Sequence, residues 1–368
     1  MRRQRKWLVA AAVLFALGAL LMLWGQGDRD APPPPQVEFP RALRDAEQER
    51  AVARRTQRVP VATPEPGTPP EPAAPRDPVL AALPRGKGHT AVVFEANALR
   101  HSPVGELLLA CLMRDGGKQL REVRERTGVD PLEDLDRLVV TDEGVILSGN
   151  FAKARTSELF ARATARSYGD SARLYEPPAP EGGEEPRVGP DAPAPRGSLA
   201  SWNDQLFVVS KTPQGAQQVI DRVEGRAGDG EQPLLGEDST YGEMYGVVSV
   251  DQLSQMLGND QPELLQRLRE VADHVELHID ARSDVAVVAE VKGADAAKVE
   301  DLGKSLGAAL SVARLKAQAE GSQELSQLLD FARVRPEGDT FQLEVALPLD
   351  YLKQKLAFCS APPDAGAP

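Results

Sequence analysis

Between Trp7 and Trp24 the chain runs for eighteen residues without a charged side chain, WLVAAAVLFALGALLMLW. As a helix rising ~1.5 Å per residue this run is about 27 Å long, close to the hydrocarbon thickness of a bilayer. A charge inside such a core costs ~2.5–3.5 kcal/mol on insertion scales. Arg2, Arg3, Arg5 and Lys6 all precede the run, and Trp7 and Trp24 bracket it, where indoles prefer the interface. These features predict a single-pass inner-membrane protein, with residues 1–6 as a cytoplasmic basic tail, residues 7–24 as the transmembrane helix and the C-terminal body in the periplasm or outside. A cleaved signal peptide is the alternative, but it needs a shorter apolar region and a small-x-small site. The nearest such site, Ala16-Leu17-Gly18, lies inside the run.

Past the run the composition changes. Residues 25–87 read as a disordered stalk: fourteen prolines fall between Gly25 and Gly86. Such a segment buries too little apolar surface to offset its ordering entropy, and proline biases it to extended polyproline II. Residues 41–58 hold good helix formers without an apolar face, which makes a marginal helix. Charge divides along the same line. Residues 1–86 carry 13 Lys and Arg against 9 Asp and Glu, and the remainder 30 against 46. An acidic body repels phosphates and so argues against nucleic acid as a partner.

From His89 onward strand and helix signals alternate, and they read twice. Residues 88–226 and 242–358 each spell β-α-ββ-α-ββ-α, which predicts an α+β fold of two tandem halves with antiparallel sheets covered by helices. In the first half, residues 102–113 and 119–126 read as two helical pieces separated by Gly116-Gly117, and residues 154–166 as an amphipathic helix. The strand pair in residues 137–148 is expected to match that in residues 274–291, and the helix at 154–166 the start of the helix at 294–319. A second low-complexity stretch, residues 176–197, sits where the second half has a five-residue hairpin, so it reads as a disordered insertion at a hairpin tip. Residues 359–368 read as a tail. Each half exposes an apolar face, so the two are expected to pack on one another or to join their sheets.

In this layout, from the anchor through the strand pairs, the chain resembles uncharacterised exported proteins of high-GC Gram-negative bacteria that carry one N-terminal membrane anchor. No diagnostic motif carries the resemblance, so it implies no functional residues. The chain has two cysteines, Cys111 in the apolar stretch ELLLACLM and Cys359 near the end. That is too few for a disulfide scaffold. An oxidising compartment permits a bridge between them, and the sequence leaves the pairing open.

One short segment carries candidate chemistry. In a strand over residues 274–280, His274, Glu276, His278 and Asp280 share one side and Val275, Leu277 and Ile279 the other. Imidazole and carboxylate groups at this spacing are candidate ligands for a transition metal. Asp130, Glu133, Asp134 and Asp136 lack the oxygen spacing and glycine of a calcium loop. Gly86-Lys87-Gly88 and Gly116-Gly117-Lys118 do not satisfy the phosphate-loop pattern, and His89 and His101 have no nucleophile beside them in sequence. No cofactor or catalytic residue is expected. The expected role is a non-enzymatic binding or structural module of the cell envelope, held to the lipid bilayer through Trp7 to Trp24 and working on an envelope protein partner. The alternatives are a metal- or small-ligand-binding sensor and a hydrolase whose site assembles only in the fold.

Overall fold

A computed structural model describes residues 77–155, 163–176, 197–227, 232–236, 239–257 and 262–360. The first half of this body runs α1 (Pro78–Ala82), β1 (Ala91–Glu95), α2 (Ala96–Arg100), α3 (Pro103–Thr127), β2 (Leu135–Thr141) and β3 (Gly144–Gly149). It continues through β4 (Thr164–Tyr168), β5 (Ala172–Glu176), β6 (Ser198–Trp202), β7 (Leu206–Ser210) and α4 (Pro213–Val223). The second half comprises β8 (Met244–Ser249), α5 (Val250–Leu257), α6 (Pro262–Val271), β9 (His274–Asp280), β10 (Val285–Lys292) and α7 (Ala296–Ala319). It ends with α8 (Gln323–Asp330), β11 (Ala332–Glu337), β12 (Thr340–Leu347), α9 (Leu349–Lys355) and α10 (Ala357–Ser360).

All twelve strands join one antiparallel sheet in the order β11-β12-β10-β9-β8-β1-β2-β3-β7-β6-β5-β4. The β1/β8 pair is the seam, with Val93 opposite Tyr245. One cross-strand row shows how the core is arranged. From Val93 it passes through Val139, Ile146, Val208, Ala200 and Leu174 in the first wing. These residues are buried under α1 and α4, against Val79, Ala82, Ala216, Val219 and Ile220. Going the other way, the same row passes from Tyr245 through His278, Val288 and Glu344 to Arg333. Past the seam this side of the sheet is polar, and the apolar residues lie on the opposite side. There Val275, Val291, Phe341 and Val334 pack under α6 and α7 with Val299 and Leu302. The sheet therefore changes the side it buries at β8/β9, because the helices flanking β9 and β10 in the chain cover the other face.

The expected pair of equal β-α-ββ-α-ββ-α halves is not what forms. The first wing supplies seven strands and the second five, in one continuous sheet. Part of the segment expected as an amphipathic helix, residues 154–166, is instead the start of strand β4; residues 156–162 lie outside the described residues. Thr164 through Ser167 are exposed. An edge strand facing water on both sides needs no apolar alternation, so its sequence does not announce it.

The single-pass inner-membrane placement is likewise corrected. Among the described residues no helix is long and apolar enough to cross a membrane. The two longest, α3 and α7, carry charged residues along their lengths and pack on the body. Residues 1–76, and with them the run from Trp7 to Trp24, lie outside the described residues, as do residues 177–196 and 361–368. Packing begins inside the segment expected as stalk. Asp77 caps α1 by accepting from Val79 N at 2.9 Å, and Val79, Ala82 and Leu83 are buried in the first-wing core.

Where two helical pieces were expected around Gly116-Gly117, α3 is one helix of 25 residues. Ser102 Oγ accepts from Gly105 N at its start, with Pro103 in the first turn, and Gly128 ends it in the left-handed region at φ 71°. A Cβ on Gly128 would lie 2.7 Å from Lys153 O, so glycine is required there twice over. Two interior glycines cost about 1 kcal/mol each relative to alanine. That is offset by flanking helix formers and by a covalent tie: Cys111, at mid-helix, is bonded to Cys359 of α10, with Cα atoms 4.7 Å apart. The pairing left open by the sequence is thus a disulfide in the structure. It fastens α9 and α10 onto α3 beside a small apolar cluster of Val104, Ala281 and Leu352.

Candidate functional site

Strand β9 sits beside β8 and presents His274, Glu276, His278 and Asp280 on the polar side of the second wing. The structure brings two of the four together. His278, 3 % exposed, places Nε2 2.9 Å from Glu276 Oε1, and its ring stacks on Tyr241 with centroids 3.7 Å apart and planes 5° from parallel. Its Nδ1 faces the Tyr241 carbonyl at 3.5 Å. Burial raises the Glu276 carboxyl, but hydrogen bonds from His278 and Ser239 outweigh it and hold the group below the ordinary carboxylate value. Asp280 is engaged elsewhere: its Oδ2 accepts from Arg282 Nη2 at 2.6 Å and its Oδ1 from Arg282 N at 3.0 Å. Among the described residues, no group of three or more His, Cys, Asp or Glu is positioned to hold a metal ion. The four residues share a strand face, as their spacing requires, but only Glu276 and His278 meet, and Asp280 turns to Arg282.

Because Glu276 is charged more readily in the folded chain than in the unfolded one, its contribution to stability is present above the ordinary carboxylate value, near 4.5. It is lost as pH falls below that value toward the folded one. We expect Glu276→Gln to be less stable than the parent at pH 7 by about 1–2 kcal/mol. The gap should narrow as pH falls below about 4.5. Urea denaturation across that range measures it; a gap that stays constant with pH would show that the carboxylate charge contributes nothing.

At the seam a second network ties the two wings to Asp77, the N-cap of α1. Arg137 on β2 donates from Nη1 to Asp77 and from Nε to Glu95 Oε2 at 3.1 Å, and the Tyr245 hydroxyl donates to Glu95 Oε1 at 2.8 Å. Burial disfavours the Arg137 charge, but the two carboxylates outweigh it and raise the pKa of the guanidinium. Burial and the neighbouring Glu95 both push the Tyr245 phenol upward. A comparable pair, Arg222 with Glu143, fastens α4 to the β2–β3 turn and, through Nε to Ala82 O at 3.1 Å, to α1.

Beside Asp77, the ends of β2, β3 and β7 frame a cleft of about 470 Å³ whose lining includes Asp77, Asp136, Ser148, Asn150, Asn203 and Asp204. Asn203 and Asp204 occupy the left-handed region at φ 50° and 52°, and Gln205 N donates to Trp202 O at 3.0 Å. That is the two-residue hairpin turn for which Asn and Asp are suited. The turn projects both side chains at the cleft rim. Asp136, counted in sequence with an acidic run, is separated by the fold from Asp130 and Asp134. Those two close a tight turn, Asp130 N donating to Asp134 Oδ2 at 2.7 Å. Sequence reading did not find the cleft; only Asn203-Asp204, as turn residues before an apolar strand, carry a signal. His89 places Nδ1 2.9 Å from Asp142 Oδ2. Among the described residues no hydroxyl or thiol hydrogen-bonds its Nε2.

No family model matches the chain, and no curated protein matches it. Among solved structures it is similar to one described as "Structure of crystal form I of TP0453". The identity is 12 % and the TM-score 0.36, over 76 % of this chain and 96 % of that one. A likeness of that degree fixes neither fold nor function.

Proposed function

We propose that this chain is a non-enzymatic binding or structural module of the cell envelope. The observation that carries the reading is the Cys111–Cys359 bond, which ties residues 248 positions apart. Such bonds persist in oxidising compartments and are rare where thiols are kept reduced. The buried titratable groups support the binding half of the reading. Arg137, Glu95, Tyr245, Glu276 and His278 are engaged with one another, which suits them to holding a surface in shape. The strand-end cleft, whose lining includes Asp136 and Asp204, suits a basic group on a protein partner. Alkylation of thiols in intact cells tests the compartment. Both cysteines should resist the reagent until a reductant is added, and a pair that reacts at once would sink the envelope reading.

A further inference from the structure

The last two helices stand outside the rest of the fold. The twelve-stranded sheet and both large apolar cores are complete by Leu347, and α9 and α10 follow as a strap over the start of α3. The anchors of this strap are few for the length of chain that must be ordered. Leu352 and Leu356 are buried, Leu349 N donates to Asp284 Oδ1 at 2.8 Å, and Tyr351 meets Phe331 edge-on with ring centroids 5.4 Å apart. The strap ends on Cys359, 6 % exposed and bonded to the half-buried Cys111. Val104, Leu107 and Leu108 of α3 lie in the cluster that Leu352 and Leu349 cover. Val104, Leu108 and Leu112 are spaced by four and form one ridge of the helix. Past Cys111, Leu112 and Met113 are already exposed.

We propose that the Cys111–Cys359 bond is a redox latch: reduction by a dithiol releases the strap and leaves the sheet folded. The proposal rests on the envelope reading only in that the bond must form where the chain works. A thiolate of the reductant attacks the Cys111 sulfur, the more accessible of the two. The electron pair of the S–S bond leaves on Cys359, which takes up a proton. The second thiol of the reductant then displaces Cys111 from the mixed disulfide, so the chain gains two thiols and the reductant becomes a disulfide. Without the bond, burial of Leu352 and Leu356 must offset the ordering entropy of residues 349–360 with little help, and the strap comes away. Val104, Leu107 and Leu108 then join Leu112 in one apolar strip along the first half of α3. The latch converts a change in thiol redox state into exposure of an apolar surface, and the reverse exchange hides that surface again.

The purified, oxidised full chain, treated with dithiothreitol in the absence of denaturant, tests the latch. Both cysteines should become open to alkylation. Amides of α9 should exchange about tenfold faster or more, while those of β1 and β8 keep their rates. Fluorescence of a dye that binds apolar surface should rise, and reoxidation should reverse each change. Brief treatment with glutathione, a monothiol, should leave glutathione on Cys111 and a free thiol on Cys359, as read by peptide mass spectrometry. An α9 that stays protected after reduction overturns the inference. So does loss of protection throughout the sheet, or a bond that resists dithiothreitol until the chain is unfolded. Glutathione found on Cys359 overturns the assignment of Cys111 as the sulfur attacked. All of these outcomes are read on the purified oxidised chain and leave the envelope reading standing; that reading fails on the thiol state in intact cells.

Discussion

Replacing Cys111 and Cys359 together by alanine is expected to cost roughly 3–5 kcal/mol of stability, the range for loss of a native disulfide that closes a long loop. The loop here spans 248 positions. Its loop-closure entropy in the unfolded chain is therefore near the top of the range, and native-state relaxation lowers the net figure. The loss should be local first. Besides the bond, α9 and α10 are held by a cluster with three fully buried residues, Val104, Ala281 and Leu352, whereas the first-wing core has eighteen. In the variant, amides of α9 should exchange with solvent well before those of β1 or β8. Chemical denaturation gives the global figure and hydrogen exchange the local one. A stability change under about 1 kcal/mol would mean that α9 and α10 dock without the bond.

Arg137→Ala is expected to destabilise by about 2–3 kcal/mol. Removing one partner of a buried charge pair costs roughly 3–5 kcal/mol, because the other charge is left without compensation. Partial solvent access lowers that here, the Arg137, Asp77 and Glu95 side chains being 28 %, 32 % and 23 % exposed. Two carboxylates are stranded at once, and they belong to different elements, Asp77 to the entry of α1 and Glu95 to the end of β1. Arg137→Met, which keeps the packing of the stem, should be nearly as destabilised at pH 7 as the alanine variant. If it were instead fully stable, the side chain would matter for its volume and not for its charge.

The core strands were legible because their apolar content is continuous. Residues 90–95, 205–210, 245–250 and 285–291 all read as strands and lie in or within a residue or two of β1, β7, β8 and β10. The alternation on β9 correctly placed His274, Glu276, His278 and Asp280 together on one side of a strand. It could not show whether they converge. Convergence depends on Tyr241 from the loop before β8 and Arg282 from the turn after β9, and no periodicity records such contacts. Asp77, Arg137, Glu95 and Tyr245 come from four separate stretches of chain, and only strand order makes them neighbours.

By itself the sequence determined an acidic body of alternating strands and helices in their approximate order. Those features are local: each depends on side-chain periodicity or backbone preference within a few residues. The tertiary structure alone decided that seven and five strands form one sheet in place of two equal halves, and that β4 is a strand. It also decided that the buried side switches at β8/β9 and that Cys111 meets Cys359. Each of these is set by which surface finds which partner across tens or hundreds of residues. That choice is made by the total apolar area buried and the charges paired, quantities that belong to the assembled fold and to no segment of the chain.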